Sequence, residues 1–83
     1  MTYNGWTNRE TWCCHLWLTN DETTYCHFKS LATLAAPYEL AYSIRDYLLE
    51  AMPIEGANIY SDLLYQAIHR INFDEVANAF YDE

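Results

Sequence analysis

The sequence predicts an all-α protein, a compact bundle of four to five short helices. Three observations indicate this fold class. Apolar residues recur at spacings of three and four along most of the 83-residue chain, as they do on the buried face of a helix. Residues that commonly start helices precede several of these runs. No alternation of apolar and polar residues is sustained as a half-buried strand would require. The length corresponds to a single domain spanning residues 1–83.

The first helix is predicted to begin at Asn8. Thr7 and Glu10 have the spacing of a capping box, in which each side chain accepts from the other residue's amide. On a helical wheel, apolar side chains cover about two thirds of the circumference, which indicates a central helix. We therefore expect Trp12 and Trp17 to be buried. The remaining strip is polar, and its histidine is expected to be solvated; the strip comprises Asn8, Thr11, His15 and Thr19.

The second and third helices are separated by a proline. Asn20 is a candidate N-cap for a second helix over residues 21–35. Pro37 ends that helix and can serve as the first residue of the third, because the first turn needs no amide donor at that position. Pro53 and Gly56 stop the third helix. Its predicted buried face comprises Leu40, Ile44, Tyr47, Leu48 and Ala51.

Two further helices are predicted in the last third of the chain. Asn58 is the candidate cap of a fourth helix that ends near Arg70. Asn72 and Glu75 then repeat the capping-box spacing and start a short fifth helix that runs through Phe80. The fourth helix is expected to bury one side, formed by Ile59 or Tyr60 with Leu63, Leu64, Ala67, Ile68 and Ile71.

The chain has three cysteines, Cys13, Cys14 and Cys26. An odd count in a sequence without an export signal favours reduced thiols over a disulfide framework. Their expected role is that of small core residues. Neighbouring residues on a helix point about 100° apart, and the spacings typical of zinc ligands are absent. We therefore expect no metal and no cofactor.

The sequence contains none of the motifs that organise a compact active site. It has no glycine-rich loop, no H-E-x-x-H and no G-x-S-x-G. A cysteine paired with a histidine is conceivable, but no third group that would orient such a pair is indicated. The sequence therefore predicts a protein that is not an enzyme.

Acidic residues are concentrated in the second half of the chain. The net charge is −8, and residues 46–83 hold eight acidic residues against one basic residue, a net of −7. Such a surface repels nucleic acid and attracts a basic protein partner. Carboxylates on a rigid helix can replace phosphates at a site lined by Lys and Arg. The alternative is that the charge only keeps the protein soluble.

Six carboxylates are the candidate partner-binding residues. Asp46 and Glu50 lie one turn apart on the third helix, about 6 Å along its axis, and Glu39 lies on the same side. The other three come from later elements and could surround the same face; they are Asp62, Asp74 and Glu75.

Five tyrosines also fall at or beside the polar helix faces. Tyrosine is a residue type that is enriched in binding surfaces. The five are Tyr38, Tyr42, Tyr60, Tyr65 and Tyr81.

The opening string from Tyr3 to Trp12 reads YNGWTNRETW, and LWLTND follows from Leu16 to Asp21. It resembles the start of a family of small proteins carried by phages and mobile elements. The resemblance brings no catalytic residues. It implies a setting in which small acidic proteins inhibit host defence, as anti-restriction and anti-CRISPR proteins do. Without a candidate membrane span or secretory signal, the expected location is the host cytoplasm.

Two functions are therefore expected from the sequence. The first is an anti-CRISPR type of inhibitor that binds a host nucleic-acid-handling complex through its acidic face and blocks target DNA binding. The second is a small accessory or structural protein of a phage or mobile element, which forms a homodimer through its aromatic helix faces. The two differ in salt dependence, because binding dominated by charge weakens as salt rises.

Overall fold

Five α-helices make up the fold in the computed structural model, which describes residues 2–82. They form a compact all-α bundle without a strand in that range, so the predicted fold class is confirmed. Glu83, one of the acidic residues of the second half, lies outside the described range. In chain order the helices are α1 (Arg9–Asn20), α2 (Glu22–Ala32), α3 (Pro37–Glu50), α4 (Ile59–His69) and α5 (Phe73–Tyr81).

The core lies where α1, α2, α3 and α5 meet. The most extensive packing joins α3 to α5, and α1 and α2 pack against each other and against α5. Burying one large apolar side chain contributes about 1.5–3 kcal/mol to the free energy of unfolding. The apolar side chains of this core are therefore the main source of stability. In contrast, α4 belongs to none of the closely packed helix pairs. The largest fully buried apolar side chains are Phe28, Leu40, Ile44, Val76 and Phe80.

Helix α1 begins at Arg9, one residue later than predicted, because Asn8 and not Thr7 is its N-cap. The Asn8 Oδ1 accepts from the Thr11 amide at 2.9 Å, which satisfies a donor that the helix start leaves unpaired. The predicted capping box is therefore wrong. The Thr7 amide donates to the Glu75 carboxylate at 3.0 Å, and the Glu10 carboxylate accepts from Arg70 instead.

A buried threonine connects the start of α1 to the turn between α4 and α5. Thr11 is completely buried, and its hydroxyl donates to Asn8 Oδ1 at 2.6 Å while accepting from the Asn72 amide at 2.9 Å. The Asn8 side-chain amide also donates to the carbonyl oxygen of Arg70 at 2.7 Å. We call this hydrogen-bonded group the polar clasp; its members are Thr7, Asn8, Glu10, Thr11, Arg70, Asn72 and Glu75.

The polar strip of α1 faces the protein interior, contrary to expectation. Thr11 lies at its centre, and His15 is half-buried with its ring 4.6 Å from that of Trp6. Trp17, expected in the core, is 69% exposed, and Trp12 is half-buried. The reason is that the turn before α5 supplies distant hydrogen-bond partners for Asn8 and Thr11, and the Phe80 ring of α5 lies 6.3 Å from the ring of His15. The buried residues of α1 are Thr11, Cys14 and Leu18.

A tight turn precedes α1 and positions Trp6. Asn4 and Gly5 both have positive φ angles, of 48° and 88°, which suits the two central residues of a hairpin turn. Tyr3 and Trp6 exchange backbone hydrogen bonds of 2.7 and 2.8 Å across it. The chain reverses here, which brings the Trp6 ring beside His15.

Helix α2 differs from its predicted bounds at both ends. Asn20 still belongs to α1, and Asp21 is the N-cap, whose carboxylate accepts from the Thr23 amide at 2.9 Å. The helix ends at Ala32 rather than at residue 35. Just beyond it, the Thr33 hydroxyl donates to the Ser30 carbonyl oxygen at 2.7 Å, a local bond that competes with helix continuation.

Helix α3 begins at Pro37 as predicted and ends at Glu50. Its buried side chains are Leu40, Ala41 and Ile44. Tyr47 and Ala51, which were predicted on the buried face, are exposed. Both lie at the C-terminal end of α3, beside a space that α4 fills only partly.

Helix α4 begins after the predicted cap, Asn58, and ends beside Arg70 as expected. Its predicted buried face is partly correct: Ile68 is buried and Leu64, Ala67 and Ile71 are half-buried, although α4 packs closely against no other helix among the described residues. Three apolar side chains expected in the core are exposed, namely Ile59, Tyr60 and Leu63. No helix among residues 2–82 has the length and apolar character needed to cross a membrane.

Helix α5 begins after Asn72, whose side chain accepts from the Glu75 amide at 3.1 Å as predicted. The return half of the expected capping box is absent, because the Asn72 amide donates to Thr11 and the Glu75 carboxylate accepts from Thr7. At the other end, Lys29 donates to the Phe80 carbonyl oxygen at 2.7 Å. Both ends of α5 are thereby bonded to other parts of the chain.

We expect Asn8→Ala to lower the free energy of unfolding by about 1–3 kcal/mol, because it removes the cap of α1 and the bond to Arg70. The matched control is Thr7→Ala. It keeps the Thr7 amide and loses only a 3.4 Å contact with Asn72, so its effect should stay below about 0.5 kcal/mol. Urea denaturation followed by circular dichroism measures both values. Equal losses in the two variants would contradict the assignment of Asn8 as the cap.

Candidate functional site

The outer face of α3 carries a row of carboxylates interleaved with tyrosines. Because Leu40, Ala41 and Ile44 face the core, residues on the opposite side of the helix face solvent. Tyr38 and Tyr42 there are 63% and 62% exposed. We call this surface the α3 stripe; it comprises Tyr38, Glu39, Tyr42, Asp46 and Glu50.

Glu39 has a structural role in addition to its place in the α3 stripe. Its Oε1 accepts from the Ala36 amide at 2.9 Å at the start of α3. It also lies near Tyr81, whose hydroxyl donates to the Ala35 carbonyl oxygen at 2.6 Å. Burial raises the pKa of Tyr81 above its ordinary value, and the charge of Glu39 raises it further. Asp46 and Glu50 are thus the members of the stripe best placed to bind a partner without a structural cost.

The other three candidate residues lie in different surroundings. Asp62 is exposed in the first turn of α4 and lines a shallow depression with Met52 and Tyr65. Asp74 and Glu75 line a polar depression beside the N-terminal turn, and the Glu75 carboxylate accepts from the Thr7 amide at 3.0 Å. The structure therefore groups Glu39, Asp46 and Glu50 on one helix face and distributes the remaining three over α4 and the start of α5.

Sequence reasoning missed an open apolar groove of about 800 Å³ between α1, α3 and α4. It exists because α4 packs closely against no helix, so the space beside it stays unfilled. The signal available in the sequence was the apolar arc of α1, which is wider than the surface that the neighbouring helices cover. Side chains that line this α1–α3–α4 groove include Trp17, Leu18, Tyr47, Leu48, Leu64 and Ile68.

The three cysteines differ in exposure: Cys14 is buried, Cys13 is half-buried and Cys26 is exposed. Burial raises the pKa of the Cys14 thiol to about 12, with a smaller contribution from Cys13. A thiol of this kind stays protonated near neutral pH and is a poor nucleophile. Within residues 2–82, no three His, Cys, Asp or Glu side chains come together in a way that could hold a metal ion.

Comparison with known proteins identifies a family. The model of one family, described as a family of unknown function (DUF7249), matches residues 1–83. Because the match spans the whole chain, the chain belongs to this family. No curated protein and no solved structure matches the chain.

The exposure of the cysteines predicts an order of modification by a thiol reagent near pH 8. Cys26 should react first, whereas Cys14 should stay unmodified until the protein unfolds, because at a pKa of about 12 only roughly one thiol in ten thousand is ionised. Raising the pH to about 9 should still leave Cys14 protected, because its pKa of about 12 lies well above that pH. Mass spectrometry of timed samples measures the order. Rapid modification of Cys14 in the folded protein would contradict its placement in the core.

Proposed function

We propose that this member of the DUF7249 family inhibits a host defence complex by binding its basic, nucleic-acid-binding surface through the α3 stripe. The observation that carries the proposal is the exposure of Asp46 and Glu50 beside Tyr42 on one face of a firmly packed helix. The specific target that we favour is a CRISPR effector, and the specific effect is that target DNA no longer binds. The setting comes from the resemblance of the opening string to proteins of phages and mobile elements.

The geometry of the α3 stripe suits a site that normally binds phosphates. Glu39, Asp46 and Glu50 lie within three turns of a single helix face, and Asp46 and Glu50 are separated by about 6 Å along the axis. Lys and Arg side chains of a nucleic-acid site can pair with such carboxylates in place of phosphate oxygens. Because α3 packs against both α2 and α5, the backbone that carries these carboxylates is fixed before binding, which lowers the entropic cost of association.

The tyrosines of the stripe add contact area to the charge. Tyr38 and Tyr42 are more than half exposed, and a tyrosine ring provides a large, rigid contact surface with one polar end. Charge alone mainly accelerates association, whereas buried aromatic contacts slow dissociation. A stripe that contains both residue types can bind a basic surface tightly at physiological salt.

The proposal assigns no catalytic role to the protein. Inhibition by occupancy needs only a complementary surface. The nucleophile with the most protected position, Cys14, is held in its neutral form by burial. The net charge of −8 also disfavours direct binding of DNA or RNA by this chain.

A second candidate function is that of an accessory or structural protein that forms a homodimer through aromatic helix faces. The observation in its favour is the exposure of Ile59, Tyr60 and Leu63 on α4. Ile59 and Leu63 lie one turn apart on the same side, and α4 carries a single acidic side chain, Asp62. Two such faces could therefore meet with less repulsion than two α3 stripes.

The first proposal predicts that the paired change Asp46→Lys and Glu50→Lys abolishes inhibition while leaving the fold intact. Both side chains are exposed, and the change replaces two attractive contacts at a basic site by two repulsive ones. The assay measures phage plating efficiency on cells with an active, phage-targeting CRISPR system, with and without the protein. Association of the purified protein with the effector should also weaken as salt rises.

The matched control for that experiment is the pair Glu22→Lys and Asp82→Lys. It makes the same change in net charge at two exposed positions outside the α3 stripe, and it avoids Asp21, whose carboxylate caps α2. The control should retain inhibition. Full inhibition by a folded Asp46→Lys, Glu50→Lys variant would exclude the α3 stripe as the binding surface, and loss of inhibition in both pairs would indicate an effect of net charge alone.

The second candidate predicts a dimer that persists at high salt and dissociates on Leu63→Glu, because contacts between apolar side chains are not screened by ions. Sedimentation velocity over a range of protein concentrations measures the association state. The substitution Leu34→Glu places the same charge at another exposed leucine and should have no effect. A monomer at all concentrations would exclude this function.

A further inference from the structure

Two exposed rings of the α3 stripe have no partner in the part of the chain that the structure describes. Tyr38 and Tyr42 lie one turn apart on α3, with 63% and 62% of their surface exposed. Neither ring stacks on another ring or on a cation within residues 2–82. Both rings are therefore open to a group that a partner supplies.

The carboxylates of the α3 stripe lie beside one of these rings. Tyr42 follows Glu39 by three residues and precedes Asp46 by four, which are the two spacings at which side chains meet on a helix surface. Among the described residues, Asp46 takes part in no hydrogen bond or ion pair, and the same holds for Glu50 one turn further on. Tyr42 thus has a carboxylate on each side along the helix, and the carboxylate of Asp46 is unpaired.

Exposed tyrosines elsewhere in the described range lack this combination. Tyr3, Tyr47 and Tyr65 each contact another ring. Tyr60 is 69% exposed, but none of the residues three or four positions away from it is acidic. An open ring between two carboxylates is therefore a property of the α3 stripe.

The basic residue of α3 itself does not occupy this position. Arg45 follows Tyr42 by three residues, is half-buried, and forms no ion pair or ring contact with a described residue. Because successive residues of a helix are turned by about 100°, Arg45 and Asp46 lie on opposite sides of Tyr42. The space over Tyr42 and Asp46 is left to an external cation.

A guanidinium group suits this arrangement better than an ammonium group does. The guanidinium is planar, so its N–H groups can pair with a carboxylate in the plane while its face stacks on an aromatic ring. The ammonium of lysine is a compact and strongly hydrated charge that does not stack in this way. Arginine also forms cation–π contacts more often than lysine. A ring beside a carboxylate therefore distinguishes the two basic residue types.

We infer that the α3 stripe selects arginine side chains of its protein partner, with a guanidinium stacked on Tyr42 and paired with Asp46. Tyr38 extends the aromatic surface by one turn and offers a place for a second guanidinium. The inference rests on the proposed function, because it concerns the same surface and the same basic partner. It specifies which basic residue that partner presents.

The test compares two short, fluorescently labelled peptides of equal length, in which glycine alternates with arginine or with lysine. The two peptides carry the same charge and differ only in the cationic group. We expect the full chain to bind the arginine peptide at least about fivefold more tightly than the lysine peptide. Fluorescence anisotropy at low salt measures both affinities.

Variants of the protein show whether the rings cause the preference. The paired change Tyr38→Leu and Tyr42→Leu should reduce the ratio of the two affinities to below about twofold. Circular dichroism should show an unchanged fold, because both side chains are mostly exposed. The pair Tyr38→Phe and Tyr42→Phe should restore the preference, since it keeps the rings and removes only the hydroxyls.

The matched control is Tyr60→Leu, which removes a ring that is 69% exposed and has no carboxylate beside it on α4. It should keep the ratio of the wild type. Equal affinity of the wild type for the two peptides would overturn the inference. An unchanged ratio in the folded Tyr38→Leu, Tyr42→Leu variant would overturn it as well. Both results leave the proposed function standing, because a basic partner could still bind through lysine.

The Asp46→Lys, Glu50→Lys variant tests the proposed function separately in the same assay. It should bind both peptides more weakly than the wild type does, because it replaces attraction by repulsion. If the folded variant binds both peptides as the wild type does, the peptides bind elsewhere, and both the arginine preference and the role of the α3 stripe are excluded. The same conclusion follows if the wild type binds neither peptide.

Discussion

The buried hydroxyl of Thr11 determines how the first helix sits in this protein. It donates to Asn8 and accepts from the backbone amide of Asn72, so both of its main hydrogen-bonding functions are used inside the fold. A buried hydroxyl without partners costs about 1–3 kcal/mol. Only one rotation of α1 about its axis brings Thr11 to the turn before α5. This rotation fixes the directions of all the other side chains of α1. Trp17, which its hydrophobicity alone would bury, is therefore exposed.

One of the two surfaces described above, the apolar groove, follows from this rotation. With its polar strip against α5, α1 turns Trp17 towards α3 and α4, where no helix packs closely enough to cover it. The apolar groove is therefore the counterpart of the polar clasp on the other side of the same helix. Meanwhile α3 packs against α2 and α5, which leaves its carboxylates on the outside. Core packing thus produces one charged surface and one apolar surface on neighbouring elements.

The sequence predicted the helices better than their orientation. Pro37, Asn58 and Asn72 start helices where expected, because proline geometry and capping act over three or four residues. The rotation of α1 was wrong because the partner of Thr11 is 61 residues away, and a helical wheel contains no such contact. The same holds for α4: its apolar spacing is helical, but the spacing does not say whether another helix covers it.

The candidate site was predictable only within one helix. The grouping of Asp46 with Glu50 follows from the helical repeat, and their exposure follows from the buried residues opposite. The placement of Asp62, Asp74 and Glu75 depends on how α4 and α5 turn relative to α3, which is decided by tertiary contacts. The use of Glu75 in a hydrogen bond to Thr7 is a contact between the two ends of the chain, and nothing near either residue indicates it.

The clasp also has a consequence for the order of events during protein synthesis. Thr11 emerges from the ribosome long before Asn72, and 61 residues separate the two. At a synthesis rate of about 5–20 residues per second, the interval is roughly 3–12 s. Throughout that interval, α1 lacks the Asn72 amide that bonds to its buried hydroxyl, and the core lacks the α5 side chains Val76 and Phe80. The nascent N-terminal half is thus an incomplete folding unit, and the native bundle assembles only when the last helix is released.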